Sequence, residues 1–288
     1  MRRQQALLAG ALFAFGYALP ANAGQPPSAG QYYAQAIEAM RHLPQPHFAT
    51  YDVHVHVTGL DFILTREPSG KASIGLVMGD RLGKPDATFA AAYRKSDDLT
   101  SVQTPSGWGV ISSPIFDPTW SGVADWIRYG LNGRPDSATA PPSPTPAPGG
   151  MPVIAAVQVM GVAFYDVTDE GAATCANGDP AHRVHLIARR DPLDHPLTDA
   201  VIDVRTNRLC SVRLEMRQSI VAAGYTSTFK LNIGDVNGES LVRSGTIELV
   251  LRAMGFGVKR VTMTLAYDHF AFPATLARDR FPATIPKP

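Results

Sequence analysis

The stretch Ala200–Met216 reads AVIDVRTNRLCSVRLEM. In its second half Cys210, Val212, Leu214 and Met216 alternate with Ser211, Arg213, Glu215 and Arg217. In its first half Ile202 and Val204 alternate with Val201, Asp203 and Arg205. Successive side chains of a strand point to opposite faces, so each half offers one apolar and one wet face. Antiparallel sheets show this split, whereas buried parallel strands read as unbroken apolar runs. Arg205-Thr206-Asn207-Arg208 is the turn between the two halves. Outward from there, the same grammar fills Met151–Pro273. Its other segments are PVIAAVQVMGVAFYDVT, HRVHLIARR, TSTFKLNIGDVNG, ESLVRSGTIELVLRAM and VKRVTMTLAYDHFAF. In the last, Val261, Met263, Leu265 and Tyr267 alternate with Arg260, Thr262 and Thr264. Asp235-Val236-Asn237-Gly238 is a second turn signal. All these segments, the first included, are expected as strands.

The N-terminal half repeats the meander. Phe48–Thr58 puts Tyr51, Val53, Val55 and Val57 on one face and Asp52, His54, His56 and Thr58 on the other. Leu60–Arg66 and Ala72–Met78 follow across Glu67-Pro68-Ser69-Gly70, then Ala87–Arg94, Leu99–Thr104 and Gly107–Ser112. Two helices are expected. Residues 29–43, with Ser28 as N-cap, carry Tyr33, Ala36, Ile37 and Met40 at helical spacing, and Pro44 and Pro46 end the run. Residues 119–131 carry Trp120, Val123, Trp126, Ile127 and Leu131 at spacings of three and four, ended by Gly133. Arg134–Gly150, RPDSATAPPSPTPAPGG, has little to bury and reads as a disordered loop within one sheet.

The chain has 288 residues, 45% of them hydrophobic and 18% charged. Arg2 and Arg3, the apolar run Ala6–Leu19 and Ala21-Asn22-Ala23 read as a secretory signal peptide over 1–23, with cleavage after Ala23. The apolar run is too short for a comfortable membrane span. Without Arg2 and Arg3 the 26 basic residues become 24 against 25 acidic ones, so the exported chain is close to neutral. No basic patch with interleaved aromatics is present, which argues against a nucleic-acid partner. The expected place is the periplasm or the medium, where disulfides form. Cys175 and Cys210 are expected to be bonded; the alternative is two unpaired small residues.

The order of these features carries a resemblance. A signal peptide and one N-terminal helix precede a strand opening with Tyr51. A mid-chain aromatic helix then leads into VIAAVQVMGVAFYDV, VHLIARRDPLDHPLTDAVIDVRTNRLCSVRLEM and DVNGESLVRSGTIEL. This resembles the LolA-like outer-membrane lipoprotein carrier superfamily. The resemblance implies a half-open antiparallel barrel that holds acyl chains under helices. The expectation is therefore a mainly β protein with a few helices. Its strongly curved antiparallel sheet is covered by the N-terminal and mid-chain helices, in one domain over 24–288.

A curved sheet with an apolar concave face is a container for an apolar ligand. The inward candidates are Val53, Val55, Val57, Phe62, Leu64, Ile74, Leu76, Trp120 and Trp126. Trp120 and Trp126 are expected to act as a lid, against the alternative of ordinary core packing. The expected function is a non-enzymatic carrier of a lipid or lipoprotein acyl chain, with a membrane or lipoprotein partner and no cofactor. A periplasmic sensor module binding a protein partner is a second reading. The third is a metal-dependent enzyme using His54 and His56. These imidazoles share a strand face, but two ligands do not make a zinc site and no H-E-x-x-H partner exists. They are read as solvated histidines and no metal is expected. Asp52 and Asp61 have no evident partner in the sequence. No G-x-S-x-G, P-loop or G-x-G-x-x-G occurs.

Overall fold

The structure, a computed structural model, describes residues 27–59, 61–77, 86–130, 152–220, 223–253 and 257–282. The signal peptide expected at 1–23 and the loop expected at 134–150 lie outside the described residues. So do Leu131 and Gly133.

The N-terminal helix α1 (Ala29–Met40) starts where the sequence has a capping box. The Ser28 hydroxyl accepts from the Gln31 backbone N–H, and the Gln31 side chain accepts from the Ser28 N–H. Two orphan donors are thus satisfied at one end. Its buried stripe is Tyr33, Ala36, Ile37 and Met40.

Strands β1 (Phe48–Thr58), β2 (Asp61–Arg66), β3 (Ala72–Val77), β4 (Asp86–Arg94), β5 (Leu99–Thr104) and β6 (Gly107–Ile111) follow. A 3-10 turn (Pro114–Phe116), helix α2 (Trp120–Tyr129) and helix α3 (Pro152–Val159) come next. The remaining strands are β7 (Tyr165–Thr174), β8 (Pro180–Ala188), β9 (Leu197–Asp203), β10 (Leu209–Ile220), β11 (Ala223–Val236), β12 (Glu239–Ala253) and β13 (Gly257–Ala271).

Eleven strands form one antiparallel sheet in the order β6-β5-β4-β1-β13-β12-β11-β10-β9-β8-β7. The seam joins β1 to β13, with Val53 opposite Tyr267 and Val55 opposite Leu265. β2 and β3 form a separate hairpin. The sheet is not closed into a barrel: β6 and β7 are its edges. The chain leaves the sheet at one edge and re-enters at the other, and α2 and α3 lie on that route. The inward residues of β1, β13, β11, β10, β9 and β8 form one core with α1, α2 and α3. A wide twisted sheet with one apolar face must be covered, and here the helices cover it.

The β11–β12 connection is the two-residue turn that Asn237-Gly238 encodes. Val236 pairs with Glu239, φ is 54° at Asn237 and 91° at Gly238, and the Gly238 N–H donates to Asp235 Oδ1. Positive φ at both central residues is what this hairpin turn requires.

Three expectations need correction. PVIAAVQV is not a strand but helix α3, followed by a 3-10 turn at Val162–Phe164; the strand begins only at Tyr165. A uniformly apolar run has no period, so it cannot announce which structure it takes. Buried Ala156, Val157 and Met160 show the tertiary context that decided it. Val204 does not continue the apolar face of β9 and is 49% exposed. β9 stops at Asp203, whose carboxylate accepts from the Arg205 and Thr206 N–H groups and bends the chain away. Cys210 is not on the face of Val212 either. The register slips between Leu209 and Ser211, so Leu209 and Val212 face the core while Cys210 packs with Cys175, Ala181 and Val201 in a separate cluster. A β-bulge re-aims a side chain in this way. It carries Cys210 to Cys175, to which it is bonded with the Cα atoms 5.7 Å apart.

Candidate functional site: the covered inner face

The inner face starts from strand alternation. Val53, Val55 and Val57 of β1 are all buried and face the core, as the pattern predicts. Leu64 is buried and Ile74 partly buried; both lie in the β2–β3 hairpin, outside the large sheet. Phe62 and Leu76 pair across that hairpin, and their side chains lie outside the described ones.

Residues 113–130 cross the inner face as a strap. Two phenols of the seam hold its start: Tyr51 Oη donates to the Phe116 carbonyl and Tyr267 Oη to the Ile115 carbonyl, both at 2.7 Å. The Val242 N–H donates to the Pro118 carbonyl, a backbone tie to β12. Thr119 caps α2, its hydroxyl accepting from the Ser121 N–H. Ser121 Oγ donates to Asp98 Oδ2 at 2.5 Å. The strap folds back so tightly that a Cβ on Gly122 would sit 2.0 Å from the Asp117 carbonyl oxygen. Gly130 ends α2 with φ 58°, three residues before the expected stop.

Trp120 and Trp126 are 2% and 1% exposed. The Trp126 ring lies against Phe229, centroids 4.9 Å apart and planes tilted by 49°, near the middle of the sheet. Both tryptophans belong to the same core as Val53 and Val55. The Trp120 Nε1–H is buried without a hydrogen-bond partner among the described residues. Such a donor costs about 1–3 kcal/mol of desolvation.

Within the strap Asp117 is a buried acid, absent from the sequence reading. Burial, and then the Asp98 charge, push the Asp117 carboxyl up to about 7. Its Oδ1 accepts from the Thr119 N–H. Burial pushes the Tyr51 and Tyr267 phenols far above their ordinary value, with Asp117 adding to it. The two phenols are proton-bearing hydrogen-bond donors that hold the strap.

The outer face has different chemistry. Asp52, without a partner in the sequence reading, accepts from His269 Nδ1 at 3.0 Å. That bond, and then the Asp268 charge, raise the His269 pKa. His54 Nε2 lies 2.9 Å from Asp268 Oδ1, and His56 Nδ1 2.7 Å from Asp86 Oδ1. The two histidines therefore serve different carboxylates. A groove of ≈ 430 Å³ with mixed charge lies over β8–β11, among Arg183, His185, Asp199, Arg213 and Glu215.

No protein-family model and no curated protein matches the chain. Three solved structures are similar in outline. A DUF1329 family protein from Desulfovibrio piger has 10% identity and TM-score 0.36, covering 87% of this chain and 96% of its own. A LolA superfamily protein from Nitrosomonas europaea has 10% identity and TM-score 0.28 at the same coverages. An outer membrane lipoprotein-sorting protein domain from Vibrio parahaemolyticus has 11% identity and TM-score 0.33, covering 85% and 94%. At identities of 10–11% and TM-scores of 0.28 to 0.36 the likeness is one of outline.

Proposed function

We propose that the protein is an exported, non-enzymatic carrier whose inner sheet face receives an acyl chain or similar apolar ligand when the 113–130 strap lifts. One observation carries this reading. An unclosed sheet has a continuous apolar inner face, and a short helical strap covers it. Helix α2 has ten residues, too few to persist alone, so its place depends on what lies beneath it. Two features make the closed position costly: the unpartnered Trp120 indole N–H and the buried Asp117. An acyl chain taking the strap's place would gain about 0.8 kcal/mol per buried CH₂. Trp120 and Trp126 then act as the movable cover. Export through a cleaved segment at 1–23 belongs to the same proposal, and the Cys175–Cys210 disulfide fits an oxidising compartment.

The test is a fluorescent fatty-acid probe titrated into the full chain and into Tyr51→Phe/Tyr267→Phe. The variant removes two strap anchors and keeps the apolar face. The proposal expects saturable binding, competed by unlabelled fatty acid, and tighter in the variant because less binding energy goes into opening. Absence of binding in both proteins, with native circular dichroism, returns α2 to ordinary core packing.

A further inference from the structure

The seam between the first and last strands carries a second constellation, on the face away from the strap. In a regular strand Asp268 and His269 would point to opposite faces. Here the β1–β13 register slips between Thr50 and Asp52, and His269 adopts φ 49° near the C-terminal end of β13. Both side chains thereby reach the outer face beside Asp52. His269 Nδ1 lies 3.0 Å from Asp52 Oδ2 and 3.1 Å from Asp268 Oδ1. One ligand atom from each of Asp52, Asp268 and His269 lies within 4.8 Å of the others. Behind them His54 Nε2 approaches the same Asp268 Oδ1 at 2.9 Å, while its Nδ1 is tied to Thr88 Oγ1 at 2.9 Å.

We propose that Asp52, Asp268 and His269 form a binding site for a divalent first-row transition cation that clips β1 to β13, with His54 orienting Asp268. The donor chemistry supports this. A single ring nitrogen faces two carboxylates, of which His54 reaches Asp268 as well. A divalent cation neutralises both carboxylates and leaves the imidazole neutral, the form in which it ligates. One imidazole and two carboxylates suit Zn²⁺ or Mn²⁺, with water completing the shell. The two separations from His269, 3.0 and 3.1 Å, lie near the roughly 3.3 Å edge of a tetrahedron with bonds of about 2.0 Å. A histidine that holds a ligating carboxylate, itself fixed by a hydroxyl, is the outer support such sites need. The cation would join residues more than 200 positions apart, at the seam where the N-terminal and C-terminal strands meet. The other grouping, Glu170, His185 and Asp199, is less suited: Asp199 already takes Arg213 at 3.5 Å and the Thr198 hydroxyl at 2.9 Å.

The experiment is calorimetric titration of ZnCl₂ into chelator-treated full chain, with thermal melting alongside. Site-selective binding predicts one equivalent and a zinc-dependent rise in melting temperature. Asp52→Asn and His269→Ala should each weaken binding at least about tenfold. The exposed His269→Ala change should leave the zinc-free melting temperature near that of the parent. His54→Ala should weaken binding less than His269→Ala, and His185→Ala should leave it unchanged. Lack of stoichiometric binding by the parent overturns the proposal, as does binding that survives Asp52→Asn/His269→Ala or disappears with His185→Ala.

Discussion

Strand β1 is two regions in one segment. Its inward residues Tyr51, Val53, Val55 and Val57 are buried at 3% exposure or less. Its outward residues Asp52, His54 and His56 form side-chain hydrogen bonds with polar groups of β4 and β13. The backbone and neighbours are shared, so the difference lies wholly in which face water reaches. Inside, a contact is worth the apolar area removed from water and the cost of any unpaired polar atom. Outside, water competes for every charge and each ion pair is worth little. Packing information and chemical information thus sit on the same strand at alternating positions.

The sharpest attack on this contrast is Phe229→Ala. The ring is fully buried beneath Trp126, and its loss should cost roughly 3–5 kcal/mol in denaturant unfolding. A loss below about 1 kcal/mol would mean that the strap does not rest on the sheet in solution.

Asp117 sharpens the contrast through pH. Its folded pKa, about 7, is raised above the ordinary value of 3.8, so the folded state holds this proton while the unfolded state has released it. Stability from this group is therefore greatest below pH 4 and falls as pH rises through 4 to 7. The slope is at most about 1.4 kcal/mol per pH unit. Asp117→Asn keeps the Oδ1 acceptor for Thr119 and should flatten that part of the stability–pH curve. An unchanged curve would place the carboxyl in water.

Tyr267→Phe removes one buried anchor and strands the Ile115 carbonyl. The expected loss is about 1–2 kcal/mol, read as a lower melting temperature. On the outer face His56→Ala should change stability by less than about 0.5 kcal/mol, because its pair with Asp86 is largely exposed. An effect of His56→Ala comparable to that of Tyr267→Phe would break the comparison between faces.

Much of this was legible in the order of residues. Alternation placed Val53, Val55, Val57, Leu214 and Leu265 on the buried face, and Asn237-Gly238 fixed a hairpin. Ser28 and Gln31 marked where α1 begins. The period of two or of 3.6 residues is a local property, so these elements announce themselves without knowing their neighbours. The pairing of Cys175 with Cys210 was expected from there being two cysteines in a chain that reads as exported.

Tertiary structure decided the rest. PVIAAVQV carried no period, and it became a helix because the space beneath the sheet beside α1 and α2 takes one. Cys210 reached Cys175 only through a slip of register, which shifts a side chain to the other face without changing the local pattern. Asp52 lacked a partner until β13 paired with β1 and brought His269 across 217 positions. Asp117 carried no signal in the sequence; its burial follows from the strap being laid against Tyr51 and Tyr267. In each case the deciding quantity was burial or proximity between segments far apart in the chain. Side-chain periodicity reports which face is wet, and it is silent on what that face meets.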